Sequence, residues 1–260
     1  MSNKAKIREE ARKLNPIDDL MFRKLAEDKE FCQEILRVIL EDAKLTVLES
    51  VPQWTGTNLQ GRSVILDAKC VKGNGGQVDI EIQKANDDDH QRRVRYNGAV
   101  LTTNIANPGT NFKDVPDVCV VFISMFDIFG GNLPLYHVDR IIRETGKIVA
   151  NGFEEIYVNT KIKNNSEISE LMEVFVKDNV YNSKFPKTSD GKHRYKETEG
   201  GLNVMCEIME RITTEEINKI NKLNAILLKN KRYDDLQRAT EDPEFQEKLI
   251  AELLPKEFVN

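Results

Sequence analysis

Apolar positions divide this chain into a mixed first part and an almost wholly helical last part. Leu20, Phe22, Leu25, Phe31, Ile35, Leu36 and Ile39 recur three or four apart after an Asn15-Pro16 start signal, which predicts helix over 15–42 with a break near 27–29. Thr46–Val51 reads as a strand ended by Pro52, and 54–61 as a loop. Two β-rich runs, Ser63–Val71 and Gln77–Ala85, flank Lys72-Gly73-Asn74-Gly75-Gly76, and a glycine-dense connector of that length predicts a hairpin. Asp87-Asp88-Asp89 then opens a helix to about Ala106, its acidic residues at the positive end of the helix. The near-continuous apolar run Asp117–Phe126 predicts a central strand covered on both faces, with further strands at 133–138 and 155–158. Beyond these, 168–180 reads as helix, 184–201 as a polar loop, and 202–211, 214–229 and 243–254 as helices. The expected fold is α/β, a mixed central sheet flanked by helices over residues 1–162, followed by a helical C-terminal region over 163–260.

Composition narrows the classes. No run in the 260 residues approaches the roughly 18–20 apolar positions of a membrane-spanning helix, and the charged start shows no secretory pattern, so an intracellular, cytoplasmic protein is expected. A formal charge of −5 counts against a protein that coats nucleic acid, but not against one that grips it through a local basic strip. Cys32, Cys70, Cys119 and Cys206 are too scattered for a disulfide scaffold or a C-x-x-C zinc site and read as buried thiols.

The hairpin carries the chemistry. Alternation places Asp79, Glu81 and Gln83 on one strand face and Ile65, Asp67 and Lys69 on one face of the other. With the turn centred on Asn74, Asp67 falls opposite Glu81, Lys69 opposite Asp79 and Ile65 opposite Gln83. Two carboxylates opposed across strands repel by about 0.2–1 kcal/mol even when exposed. A shared proton or a divalent cation relieves that cost, and Mg²⁺, which takes one or two carboxylates, several waters and a phosphate, suits the residues. The plainer reading is a solvated polar ribbon face with Lys69 and Asp79 as a surface ion pair. Periodicity leaves both open.

The residues around this hairpin resemble the PD-(D/E)XK nuclease family transposases, the Rpn-like recombination-promoting nucleases. The similarity lies in Asn15 to Lys24, Leu66-Asp67, Ile80-Glu81-Ile82-Gln83, Arg92 to Tyr96, and Glu197-Thr198-Glu199-Gly200-Gly201 with Met205-Cys206. It implies a restriction-endonuclease-like core with E-x-Q in place of the common E-x-K, and a Mg²⁺-dependent (or Mn²⁺-dependent) hydrolysis of DNA phosphodiesters. By that resemblance Asp67, Glu81 and the Ile82 carbonyl bind the metal, and Gln83 takes the place of the lysine beside the attacking water. Asp19 is implied as an acidic position assisting the metal. Arg23 stands where such proteins often have lysine. Lys84 is adjacent to Gln83, but alternation points it to the opposite face.

Arg92, Arg93 and Arg95 on the following helix form a basic patch for DNA phosphates, or else a solvated face balanced by Asp87–Asp89. Tyr96 reads as core. His90 reads as an exposed first-turn residue, and neither His137 nor His193 has a spaced partner. Neither a Walker A pattern nor a Gly-x-Ser-x-Gly elbow is present. The C-terminal helices either pack on the core or form a homodimer interface. The function expected is a DNA endonuclease of low sequence specificity linked to recombination or mobile elements. The alternative is a catalytically idle nuclease-like fold that binds nucleic acid or protein.

Overall fold

A six-stranded sheet, seen in a computed structural model that describes residues 3–254, organises the first and larger of two units, residues 9–202. Its strands are β1 (Val47–Gly56), β2 (Val64–Lys72), β3 (Gln77–Gln83), β4 (Val118–Ser124), β5 (Leu135–Val138) and β8 (Phe153–Asn159), in the order β1-β2-β3-β4-β8-β5. The first three pair antiparallel, β3, β4 and β8 run parallel, and β5 returns antiparallel on β8. The sheet is mixed, as expected for the α/β class. All seven residues of β4 are buried, which is why its sequence is apolar without alternation.

Helices cover both faces. On one lie α2 (Asp19–Ala26), α3 (Lys29–Ile39), α5 (Glu167–Val176) and α6 (Pro186–Glu197), whose Met21, Phe22, Phe31, Leu36, Phe175 and Phe185 meet Ala68, Cys70, Val78, Ile80 and Ile82 in the main core. The break foreseen near 27–29 is real, because Asp28 accepts from the Glu30 amide and caps α3. The other face carries α4 (His90–Ile105), capped by Asp89 on the Arg92 amide. Here Gly98 has a purpose: a Cβ on it would lie 2.3 Å from the Phe153 ring, so only glycine lets α4 approach the sheet this closely.

Two expectations fail for physical reasons, and one short ribbon was not foreseen. β1 passes through Pro52 instead of stopping there, because β1 is an edge strand and a missing amide on the edge costs no ladder bond. Most of the polar run 184–201 is a helix, α6, started by Pro186 at its first turn, and Glu199 already opens the next helix. Its buried face is polar: the Lys192 ammonium, fully buried, donates to the carbonyls of Val174 (2.9 Å), Val180 (3.2 Å) and Lys177 where α5 ends. Thr188 bonds Glu34 (2.7 Å), and Lys196 pairs with Asp178 (2.8 Å) and Asn15 (3.1 Å). Burial satisfied by hydrogen bonds leaves no apolar period to read. A Lys192→Met substitution is expected to leave those carbonyls unpaired and to lower unfolding stability by about 2–4 kcal/mol, read as an earlier urea midpoint. Finally, two short strands unforeseen in the sequence, β6 (Ile141–Ile142) and β7 (Lys147–Ile148), form a separate exposed ribbon between β5 and β8.

Among the described residues, the second unit comprises 3–8 and 203–254. α7 (Glu199–Lys229) is one helix where two were expected, and α8 (Tyr233–Glu241) was not foreseen. α9 (Pro243–Leu253) begins at Asp242-Pro243 as expected, with Asp242 accepting from the Phe245 amide. Leu223, Leu227, Ala239 and Leu249 form the small core of this unit, and Arg8 of α1 (Asn3–Lys13) donates to Asn203. None of the described helices is long and apolar enough to cross a membrane.

Candidate active site

The hairpin pairs in the expected register, with Lys69 opposite Asp79 and Ala68 opposite Ile80. The ladder then stops, and Ile65 does not reach Gln83. The cause lies one strand over: Gln53 of β1 has a left-handed φ of 53°, at the missing rung between Pro52↔Ala68 and Trp54↔Leu66. There β2 changes side, Leu66 packing toward α4 and Ala68 toward the opposite core, so Ile65 and Lys69 do not share a face. Asp67 sits at that change.

Freed from the ladder, the two strands are joined crosswise through the carboxylates. The Asp67 amide donates to Glu81 Oε1 (3.2 Å), and the Ile82 amide donates to Asp67 Oδ2 (3.0 Å). Glu81 is 1% exposed and Asp79 wholly buried, so this is no solvated ribbon face. Nor do Lys69 and Asp79 form a surface ion pair: the Lys69 ammonium lies over the Trp54 ring at 5.4 Å, and neither Asp79 oxygen has a hydrogen-bond partner.

Burial sets the protonation of the group. It pushes Asp67 up to about 6, against the opposing pull of the Ile82 amide, with the Asp19 charge adding to the rise. Burial and then the Asp67 charge push Glu81 up to about 8. Asp79 rises well above the carboxylate range, through burial first and the Glu81 charge second. Near neutrality the fold therefore holds protons that a cation could replace.

One positive group reaches this cluster from outside the hairpin. Arg93 of α4 places Nη2 3.4 Å from Glu81 Oε2 and Nη1 3.2 Å from Gln83 Oε1. The Gln83 amide nitrogen donates to the Ala85 carbonyl (3.0 Å) and to Asp87 (3.2 Å), which fixes the side chain. In the sequence Arg93 was one of three similar arginines; the structure separates it from Arg92 and Arg95, both exposed. Arg92 pairs with its own cap Asp89 (3.2 Å). Asp19 is half-exposed and gripped by Arg23 at 2.6 Å. Lys84 points away from Gln83 and pairs with Asp18.

His90 corrects another expectation. It is buried, its ring 5.3 Å from that of Phe122 and 5.0 Å from that of Phe126, and neither nitrogen has a partner. Burial lowers its pKa, so the neutral form belongs there. Tyr96 is partly buried and packs in the α4-side core, its hydroxyl donating to the Arg62 carbonyl. Among the described residues no three His, Cys, Asp or Glu side chains converge closely enough to hold a metal on their own.

The family model of the PD-(D/E)XK nuclease family transposases matches residues 16–242. The chain belongs to that family. No curated protein and no solved structure matches it. The mixed sheet with flanking helices agrees with the restriction-endonuclease-like α/β fold of PD-(D/E)XK nucleases. Within this PD-(D/E)XK chain, the sequence motif D…E-x-Q occupies the hairpin at the point where the β2–β3 ladder opens.

Proposed function

We propose that the chain is a divalent-metal-dependent DNA endonuclease that hydrolyses phosphodiesters in the cytoplasm with low sequence specificity, in recombination or the movement of mobile elements. The observation that carries this reading is the crossed pair Asp67–Glu81, two carboxyls with raised pKa values held by each other's strand beside a guanidinium. The donor set fits a hard cation: Asp67, Glu81 and the Ile82 carbonyl would hold Mg²⁺ or Mn²⁺. The Ile82 amide reaches Asp67, and in a strand the carbonyl of the same residue faces the same neighbouring strand, here β2. A hydrated set of so few protein ligands suits Mg²⁺, which keeps several waters. The bound ion would supply an acidified water and Lewis-acid stabilisation of the phosphoryl oxygens.

The protein's own groups do the rest. Ionised Asp67 and Glu81 would hold the ion, and their remaining oxygen lone pairs would accept hydrogen bonds from water and orient it. Glutamine carries no charge, so Gln83 cannot replace a lysine electrostatically; the fixed guanidinium of Arg93 restores that charge from α4 and donates N–H groups toward negative charge building on the phosphate. Asp19, near enough to raise Asp67, serves as an outer carboxylate that keeps Arg23 in place. Exposed Arg92 and Arg95 meet the DNA backbone. Substituting each of these two by alanine is expected to weaken DNA binding across all sequences and to reduce the slope of log K against log salt by about 0.9 per lost phosphate contact.

The reading is tested by plasmid nicking and linearisation with purified protein in Mg²⁺, Mn²⁺, Ca²⁺ and EDTA. Cleavage in Mg²⁺ or Mn²⁺ that stops in EDTA supports it. A folded protein that binds DNA but cuts in no metal favours the binding module instead.

A further inference from the structure

Acidic residues are common in this chain, yet two long stretches have none. Residues 50–66 and 90–113 carry none of its 43 Asp and Glu residues. The structure lays these stretches side by side. The first holds the β1–β2 connection, residues 57–63, and the second holds α4. Asn58 donates to the Tyr96 hydroxyl (3.1 Å), that hydroxyl donates to the Arg62 carbonyl, and Asn104 donates to the Thr57 carbonyl (3.2 Å). Within the loop the Asn58 amide bonds Ser63 (3.1 Å) and the Gln60 amide bonds Asn58 (3.0 Å). The loop is thus fastened along the helix over about two turns; the loop carries Arg62 and the helix Arg92 and Arg95, all three exposed.

At the tip of this fastened, acid-free loop stands its single large apolar residue, Leu59, 96% exposed. A leucine held clear of every neighbour contributes nothing to folding and leaves apolar surface in water. Electrostatics select the partner: a loop and a helix with no carboxylate of their own, Asp89 lying just before the helix against Arg92, offer arginines and asparagine and glutamine amides as donors to a nucleic-acid backbone. Apolar side chains projecting from such surfaces enter a groove and part a base step, kinking the duplex. Tyr96, where the loop is tied, lies one helical turn beyond Arg93, which touches Glu81, so the loop and the carboxylates are held by the same helix.

We propose that the 57–63 loop is a wedge for duplex DNA, in which Leu59 inserts at a deformable base step while Arg62, Arg92 and Arg95 take the flanking phosphates. This rests on the nuclease reading and adds to it a preference for duplex that can be kinked, such as pyrimidine–purine steps.

The full chain carrying Glu81→Gln, expected to bind without cutting, is titrated into a short duplex with 2-aminopurine at its TpA steps. Saturation is expected to raise the fluorescence as a step unstacks. Adding Leu59→Ser should abolish that rise and weaken duplex binding about tenfold, with affinity for the matching single strand and the melting temperature unchanged. Adding Arg62→Gln instead should weaken binding yet keep the full rise at saturation. A Leu59→Ser protein that binds and unstacks the duplex like its parent overturns the wedge and leaves the nuclease reading standing. Absence of binding to any DNA overturns both.

Discussion

Glu81→Gln is expected to abolish DNA cleavage and, in the metal-free protein at pH 8, to raise stability. The two effects have one cause. In the fold Glu81 holds its proton up to about pH 8, against 4.5 for a free glutamate, because burial and the Asp67 charge oppose ionisation. The unfolded chain gives that proton up first. Stability associated with this group is therefore complete below about pH 4.5 and is lost as pH rises through 8. Glutamine keeps the shape, never ionises, and escapes the loss, so the variant should gain on the order of 2–4 kcal/mol at pH 8 and nothing near pH 4. Denaturant titrations across that range measure it. In the same variant the anionic ligand is gone, and cleavage should fall to the limit of detection in any divalent metal. A protein stabilised where it is inactivated is the signature of a site built for a cation rather than for the fold.

The second large effect is expected at Arg93. Arg93→Gln should lower the single-turnover cleavage rate by about 10²–10³, the usual loss when one fixed donor to developing charge is removed, while DNA affinity falls only a few-fold. Its guanidinium also draws the Glu81 and Asp67 pKa values down, so without it both carboxyls hold their protons to higher pH. The pH–rate profile should shift to the alkaline side. Arg93→Lys should recover part of the rate, since a single ammonium replaces the charge but not the contact to both Glu81 and Gln83. An Arg92→Gln control, on an exposed side chain, should leave the profile in place. Equal losses in binding and rate for Arg93→Gln would instead make it a plain phosphate contact, and would favour the binding module over the enzyme.

Much of this site was legible in the hairpin. Gly73 to Gly76 marked the turn, the turn set the register, and the register put Asp79 opposite Lys69 as found. What alternation could not show was the break at Asp67, since it arises from a left-handed residue, Gln53, on the neighbouring strand. Nor could it show depth. Asp79 and Glu81 read as a wet face because carboxylates usually are, and only α4 packed across them makes them dry. Arg93 was indistinguishable from Arg92 and Arg95 until the helix was rotated onto the sheet, which Gly98 permits. His90 and α6 failed for a related reason: polar residues buried against aromatic rings, or against carbonyls at the end of a helix, leave no apolar period. The resemblance implied the E-x-Q roles; the structure adds a guanidinium, that of Arg93, beside Gln83.

The central claim is that Asp67 and Glu81 form a divalent-cation site. Thermal unfolding of the wild-type chain and of Asp67→Asn, each with Mn²⁺ and with EDTA from pH 5 to 9, tests it most directly. Because the cation must displace protons held at about 6 and about 8, the wild-type gain in melting temperature should be absent at pH 5, grow through both values, and be lost in Asp67→Asn. A gain that is the same in the variant, or that does not change with pH, would contradict the site.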